Sequence, residues 1–193
     1  MEIIIATGNA GKVREFKRML EPLGYTVFSQ KEKGISVDVE ETGGTFAENA
    51  LIKARAVWEQ AHTAVIADDS GLCVDALDGR PGVYSARYAG EDATDADRNR
   101  KLLSELEGVE NRSAHFTCAI AYISPEGQEQ VFEGICPGKI GFEPKGSDGF
   151  GYDPLFYWED KTFGEMSAEE KDAVSHRGRA NRMLEAYLSR CGR

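Results

Sequence analysis

Residues 1–12 read MEIIIATGNAGK, and the rest of the fold is read outward from them. Ile3 to Ala6 is an apolar strand that runs straight into Thr7-Gly8-Asn9-Ala10-Gly11-Lys12. Val13, Phe16, Leu20 and Leu23 follow at helical spacing, which predicts an amphipathic helix over about residues 11–22. Strand, glycine-bearing turn, lysine and helix start together make a phosphate cradle. Glycines let backbone N–H groups approach the oxygens, the helix N-terminus adds partial positive charge, and the lysine adds a full one. The alternative is an ordinary strand-to-helix turn that carries a lysine. The string is not a P-loop, which needs four residues between Gly and Gly-Lys and a Ser or Thr after the Lys. Here only Asn9 and Ala10 separate Gly8 from Gly11, and Val13 follows Lys12.

Thr26–Ser29 reads as a short strand, and Ser36–Glu40 as a strand candidate in an otherwise irregular stretch. Thr45-Phe46-Ala47-Glu48 has capping-box spacing and opens a helix to about His62, with Phe46, Ala50, Ala54, Val57 and Ala61 as its buried stripe. Ala64–Ala67 is a short apolar strand that ends at Asp68-Asp69-Ser70-Gly71, and Leu72–Ala76 is extended again. Gly79–Gly90 is a loop, and Asp95–Leu106 a helix. Ala114–Ile123 and Gln130–Cys136 flank the turn Ser124-Pro125-Glu126-Gly127 and form a hairpin. A further strand is expected near Gly138–Phe142. Ser167-Ala168-Glu169-Glu170 repeats the capping-box spacing, and a last helix over about residues 175–190 would bury Ala180, Met183, Leu184, Tyr187 and Leu188. This pattern predicts an α/β protein with a mixed sheet and leaves the strand order open.

The chain of 193 residues fits one domain or two closely joined lobes, and its 41% hydrophobic and 29% charged content is that of a soluble globule. No apolar run approaches the ~20 residues of a membrane span, and Ile3–Ala6 is too short for a signal peptide. Cys73, Cys118, Cys136 and Cys191 are scattered without a CxxC pair, which favours reduced thiols and a cytoplasmic setting. The net charge of −10 and pI of about 4.9 oppose a nucleic-acid partner. A small anionic ligand remains compatible where basic groups converge and a divalent metal offsets carboxylates.

Asp68-Asp69 at a strand end is costly without a cation, and Mg2+ is the natural one, taking one or two carboxylates plus substrate phosphates. A polar turn is the competing reading. Successive side chains of a strand point to opposite faces, so one aspartate should face the site while the other braces it. Glu40-Glu41-Thr42-Gly43-Gly44 could supply a second metal carboxylate through Glu40 or Glu41. In Ser147-Asp148-Gly149-Phe150-Gly151-Tyr152-Asp153-Pro154, two glycines bracket an aromatic ring suited to stacking on a flat base. Asp153 could meet a ring N–H or hold the loop. Lys171, His176 and Arg177 form a basic cluster in an acidic chain, able to reach phosphate or a purine carbonyl.

Taken in order, TGNAGK (Thr7–Lys12), EETG (Glu40–Gly43), DDSG (Asp68–Gly71), PGVYSARY (Pro81–Tyr88), FGYDP (Phe150–Pro154) and SHRG (Ser175–Gly178) resemble the inosine triphosphate pyrophosphatase family, the Ham1/RdgB-type dITP/XTP pyrophosphatases. The resemblance covers essentially the whole chain as a single domain, residues 1–193. It implies an ITPase-like (Ham1/Maf) α/β fold with a long mixed central sheet flanked by helices and two lobes around a substrate cleft. It also implies a cytoplasmic, homodimeric house-cleaning hydrolase that uses Mg2+ to convert ITP, dITP and XTP to monophosphate and pyrophosphate. Carried over by position, Thr7, Gly8, Asn9, Ala10, Gly11 and Lys12 would cradle triphosphate. Asp69 would be metal ligand and base, and Glu40 or Glu41 the other metal carboxylate. Ser70, Phe150, Gly151, Tyr152, Asp153, Lys171, His176 and Arg177 would contact substrate. Competing readings are a Maf-like pyrophosphatase for modified pyrimidines, opposed by the Phe150 string and the His176–Arg177 pair, and a nucleotide-binding regulator, opposed by the paired acids.

Overall fold

The computed structural model describes residues 1–191. The elements are β1 (Glu2–Ile5), α1 (Ala10–Leu20), β2 (Thr26–Ser29), α2 (Phe46–Ala61), β3 (Ala64–Val74), α3 (Asp95–Glu105), β4 (Ser113–Ile123), β5 (Glu129–Ile140), β6 (Phe156–Trp158), β7 (Lys161–Thr162), α4 (Ala168–Val174) and α5 (His176–Cys191). The strands form one seven-stranded sheet in the order β2-β1-β3-β4-β5-β6-β7. β1 is parallel to β2 and β3, whereas β6 is antiparallel to β5 and β7. The sheet is therefore mixed, as the sequence predicts.

The chain divides into two compact units, the first made of Met1–Asp69, Cys118–Gly134 and the segment from Arg177 onward. In this unit β1 and β3 are apolar at successive positions because helices cover both faces. Ile3, Ile5, Ala64 and Ile66 pack with Phe16 and Leu20 of α1 and Ala180 and Leu184 of α5. Ile4, Ala6, Val65 and Ala67 pack with Ala50, Ala54 and Val57 of α2. Ile3 and Ile5 are fully buried, and burial of such a side chain contributes about 1.5–3 kcal/mol. A capping box between Thr45 and Glu48 starts α2 where the sequence places it.

The second unit comprises Ser70–Thr117 and Ile135–His176. Its core gathers Leu72, Val74, Leu102, Phe116, Phe156 and Phe163. The Ser167–Glu170 capping box starts α4.

Four expectations change. β3 continues through Asp68-Asp69-Ser70-Gly71 to Val74 instead of turning there. It lies between β1 and β4, and pairing inside a sheet outweighs the local turn preference of these residues once their charges are compensated. Ser36–Glu40 forms no strand; Ile35 and Val37 instead pack against the α2-side core. The strand expected near Gly138 is the far end of β5, since Pro137 removes one donor without ending the strand. Leu23 and Met183 are each 51% exposed. Leu23 falls after α1 has given way to a tighter turn. Met183 lies off the buried α5 stripe of Arg177, Ala180, Asn181, Leu184 and Leu188.

Candidate active site

The two-residue period of β3 sends its aspartates to opposite faces. Asp68 continues the side of Ala64 and Ile66, toward α1 and α5. Its Oδ2 lies 3.0 Å from Lys12 Nζ and accepts from Arg177 Nη2 at 2.9 Å and Nε at 3.2 Å. Arg177 Nη1 donates to Glu15. Lys12 and Glu15 are three residues apart on α1, so they share a helix face. All of Asp68, Glu15 and Arg177 are buried. Burial alone would push the Asp68 carboxyl up, but the charges of Lys12, Arg177 and Lys53 reverse this and hold it well below the usual carboxylate range. For Arg177, burial opposes the charge and the neighbouring Asp68 and Glu15 overcome it, so the guanidinium is held above its ordinary value. Its fork is therefore turned to two carboxylates.

The turn before α1 is shaped by Asn9. Its side-chain oxygen accepts from Gly11 N at 2.8 Å and Lys12 N at 3.2 Å, as an N-cap does. Thr7 Oγ1 accepts from Asn9 N at 3.2 Å. The cap thus occupies two of the first-turn N–H groups that the sequence offers to phosphate, while Gly8 remains exposed.

Asp69 continues the side of Val65 and Ala67, toward α2. Asn49 Nδ2 donates to Asp69 Oδ2 at 3.1 Å, and Lys53 Nζ lies 3.7 Å from Oδ1. Asn49 and Lys53 are one helical turn apart on α2. The same ammonium meets Glu41 Oε1 at 3.0 Å. Asn49 also accepts from Gly43 N at 2.8 Å, which docks the Glu40–Gly44 loop on the start of α2. A Cβ at Gly43 would stand 2.6 Å from Asn49 Oδ1 and 2.7 Å from Glu48 Cβ, so the close approach requires glycine. Glu41 is thereby drawn to Asp69, whereas Glu40 is exposed and no ion pair ties it to this group among the described residues.

Burial is the largest effect on Asp69 and raises its pKa. Lys53 and Lys12 pull it back, Glu41 pushes it up again, and the net direction is upward from the ordinary aspartate value. Burial would lower Lys53, but Asp69, Asp68 and Glu41 more than offset it and leave the ammonium firmly charged. No group of three or more His, Cys, Asp and Glu side chains gathers as a metal cage among the described residues. The Asp69–Glu41 pair nevertheless fits Mg2+: both are hard oxygen donors, Glu41 raises the cost of the Asp69 charge, and Mg2+ is commonly held by one or two carboxylates.

In the second unit, Asp153 organises the aromatic loop. Its Oδ2 accepts from Lys171 Nζ at 2.6 Å and from Phe150 N at 2.9 Å. Gly149, at φ +75°, would place a Cβ 2.0 Å from that oxygen. Lys171 Nζ lies 4.7 Å from the Phe150 ring centroid, a cation–π arrangement. Tyr152 OH donates to Ser85 O at 2.7 Å, and burial pushes its phenol up. His176 stacks on Phe116 at 4.6 Å between centroids. Tyr152, Asp153, Lys171 and His176 are all buried, whereas Ser70, Phe150 and Gly151 are half-buried. Within this unit, then, Phe150 presents a ring while Asp153 and Lys171 set its backbone and its charge.

Asn49, Lys53 and Glu15 escape a reading of the sequence. Asn49 and Lys53 flank the apolar stripe of α2 with a polar pair at helical spacing, and Glu15 sits beside the buried Phe16; those positions were the available signal.

Comparison with known proteins gives one answer. The model of the Ham1 family matches residues 3–187. A dITP/XTP pyrophosphatase of Bacillus licheniformis is 54% identical over 97% of each chain. One of Bacillus subtilis is 51% identical over 97% of this chain and 96% of its own. The structure of the Staphylococcus aureus Ham1 protein superposes with a TM-score of 0.87 at 44% identity, covering 98% of both chains. With that coverage and identity, this chain belongs to the Ham1 family.

Proposed function

We propose that the protein is a nucleoside triphosphate pyrophosphatase that hydrolyses noncanonical purine nucleotides (ITP, dITP and XTP) to the monophosphate and pyrophosphate. The observation that carries the reading is Asp69, a buried carboxylate beside Glu41 and Lys53, in a chain about half identical to proteins named dITP/XTP pyrophosphatase. Asp69 orients the attacking water and takes its proton, while Asn49 fixes the opposite carboxylate oxygen. The water oxygen bonds to the α-phosphorus, and the α–β bridging oxygen leaves with pyrophosphate. Glu41 and Asp69 would hold Mg2+, which when bound neutralises charge on the phosphates. Lys12, in the first turn of α1, and Lys53 supply fixed cations for the triphosphate, kept in place by Asp68 and by the acid pair.

In the second unit, Phe150 is the surface on which the purine stacks, and Gly151, Tyr152 and Asp153 frame it. A 6-oxo purine offers an acceptor where adenine offers a donor, so the donors of Lys171 and His176 favour hypoxanthine and xanthine. Arg177 acts through Asp68, and Ser70 follows the base along β3. The resemblance supports a homodimer, and the thiols of Cys73 and Cys118 suit a cytoplasmic setting. No helix among the described residues is long and apolar enough to cross a membrane.

Asp69→Asn tests the assignment. The isosteric amide keeps the shape and loses the base, so turnover should fall about 10²- to 10⁴-fold with the fold intact. Near-wild-type turnover in that variant removes Asp69 from the chemistry.

A further inference from the structure

Helix α3 carries no residue of the site described above, yet two of its side chains grip the peptide next to Phe150. Asp95 Oδ2 accepts from Gly151 N at 2.8 Å. Asn99 Nδ2 donates to Gly151 O at 3.1 Å. Asp95 and Asn99 are four residues apart, so they project from one face of the helix. Both polar ends of a single residue are therefore held from one rigid element. Gly151 sits at φ +63°, a left-handed conformation that glycine adopts readily.

The grip is built in advance. Asp95 Oδ1 is held by Arg98 Nη2 at 2.6 Å, and Arg98 Nη1 donates to the carbonyls of Ala86 and Ala93 at 2.8 and 2.7 Å. Thr94 and Asp97 close a capping box at the helix start. Asn99 is buried, and its Oδ1 finds no hydrogen-bond partner among the described residues. A cavity of about 540 Å³ lies beside the same loop, lined by Asp95, Asn99, Ser147, Phe150 and Pro154. Asp153 holds the loop at Phe150 N, and the two α3 hydrogen bonds hold it at Gly151, on the side of the cavity.

We propose that Asp95 and Asn99 are positioning residues for the purine: by clamping both ends of the Gly151 peptide they set the direction of the Phe150 ring. The inference rests on the assignment of Phe150 to the base, and the experiment separates the two. Asn99→Asp keeps the side chain's shape and turns a carboxylate toward the Gly151 carbonyl. Asp95→Ala removes the acceptor at the half-exposed end, and Asp95→Asn restores one. Each variant, with Phe150→Ala as reference, is assayed for KM and kcat on ITP and for the inhibition constant of inorganic tripolyphosphate, which has no base.

The KM for ITP should rise about tenfold for Asn99→Asp, which loses the bond made by a buried amide, and about threefold for Asp95→Ala, whose bond is exposed. Their kcat and their tripolyphosphate inhibition should be unchanged, and Asp95→Asn should recover most of the loss. If Phe150→Ala raises KM while neither α3 variant does, the clamp is wrong and the base assignment stands. If Phe150→Ala itself leaves KM unchanged, the base assignment fails and the clamp with it. A parallel weakening of tripolyphosphate and ITP, accompanied by a drop in Tm, makes α3 a structural support and overturns the proposal.

Discussion

Asp68→Asn isolates the buried charge network with little change of volume. In the wild type, Asp68 lies 3.0 Å from Lys12 and 2.9 Å from Arg177, and Glu15 takes the other end of Arg177. At an effective dielectric constant of about 20, each contact at that range is worth roughly 5 kcal/mol of Coulomb energy. Burial of the ions consumes much of this, so the net cost of removing one partner is about 3–5 kcal/mol, most of it from the cations left uncompensated. Urea denaturation reads the loss without adding salt. Trp58 reports on the first unit, because its Nε1 donates to Ser124 O at 2.8 Å. For a chain of this size, with m of about 2–3 kcal/mol per molar, the midpoint should fall by roughly 1–2 M. The difference also depends on pH in a defined direction. The Asp68 carboxyl is depressed in the folded state, so its contribution is full above about pH 4, the unfolded value, and is lost as pH falls below that. Wild type and variant should therefore converge in acid. A midpoint unchanged at neutral pH, or a gap that widens in acid, refutes the account of this network.

Two glycine substitutions test how the loops are seated. Gly43→Ala would place a methyl 2.6 Å from Asn49 Oδ1 and push away the loop that carries Glu41. The Mg2+ concentration for half-maximal activity should rise about tenfold, and an unchanged Mg2+ titration takes Glu41 out of the metal site. Gly149→Ala combines a positive φ with a Cβ 2.0 Å from Asp153 Oδ2. Displacement of that carboxylate should raise the KM for ITP at least about tenfold, and a wild-type KM contradicts the role given to Asp153.

Much of the fold was legible because the signals are local. Apolar runs at β1 and β3, two capping boxes and the Ser124–Gly127 turn each act over a few residues. The alternation argument at Asp68 and Asp69 also carried over to the structure, since it depends only on an extended backbone. What stayed hidden depends on distant partners. The turn-forming string Asp68–Gly71 is a strand interior because sheet neighbours and ion pairs act on it from elsewhere in the chain. The placement of Glu41 on Lys53, with Glu40 left exposed, depends on Lys53 and Asn49 of α2, the latter through a contact to Gly43. Arg177 reads as an available cation beside His176, yet its guanidinium is taken by Asp68 and by Glu15, a residue far away in sequence. The sequence leaves Asp153 open between a ring contact and a loop brace, and its hydrogen bonds from Lys171 and Phe150 come from partners that no local pattern announces.

The central claim is the cleavage of the α–β bond of 6-oxo purine nucleotides other than guanine. The purified protein is incubated with Mg2+ and, separately, ITP, XTP, dITP, GTP and ATP, and pyrophosphate and phosphate are assayed independently. The account predicts pyrophosphate from ITP, XTP and dITP, little from GTP or ATP, and none after EDTA. Release of phosphate in place of pyrophosphate, or equal rates with ATP and GTP, contradicts it.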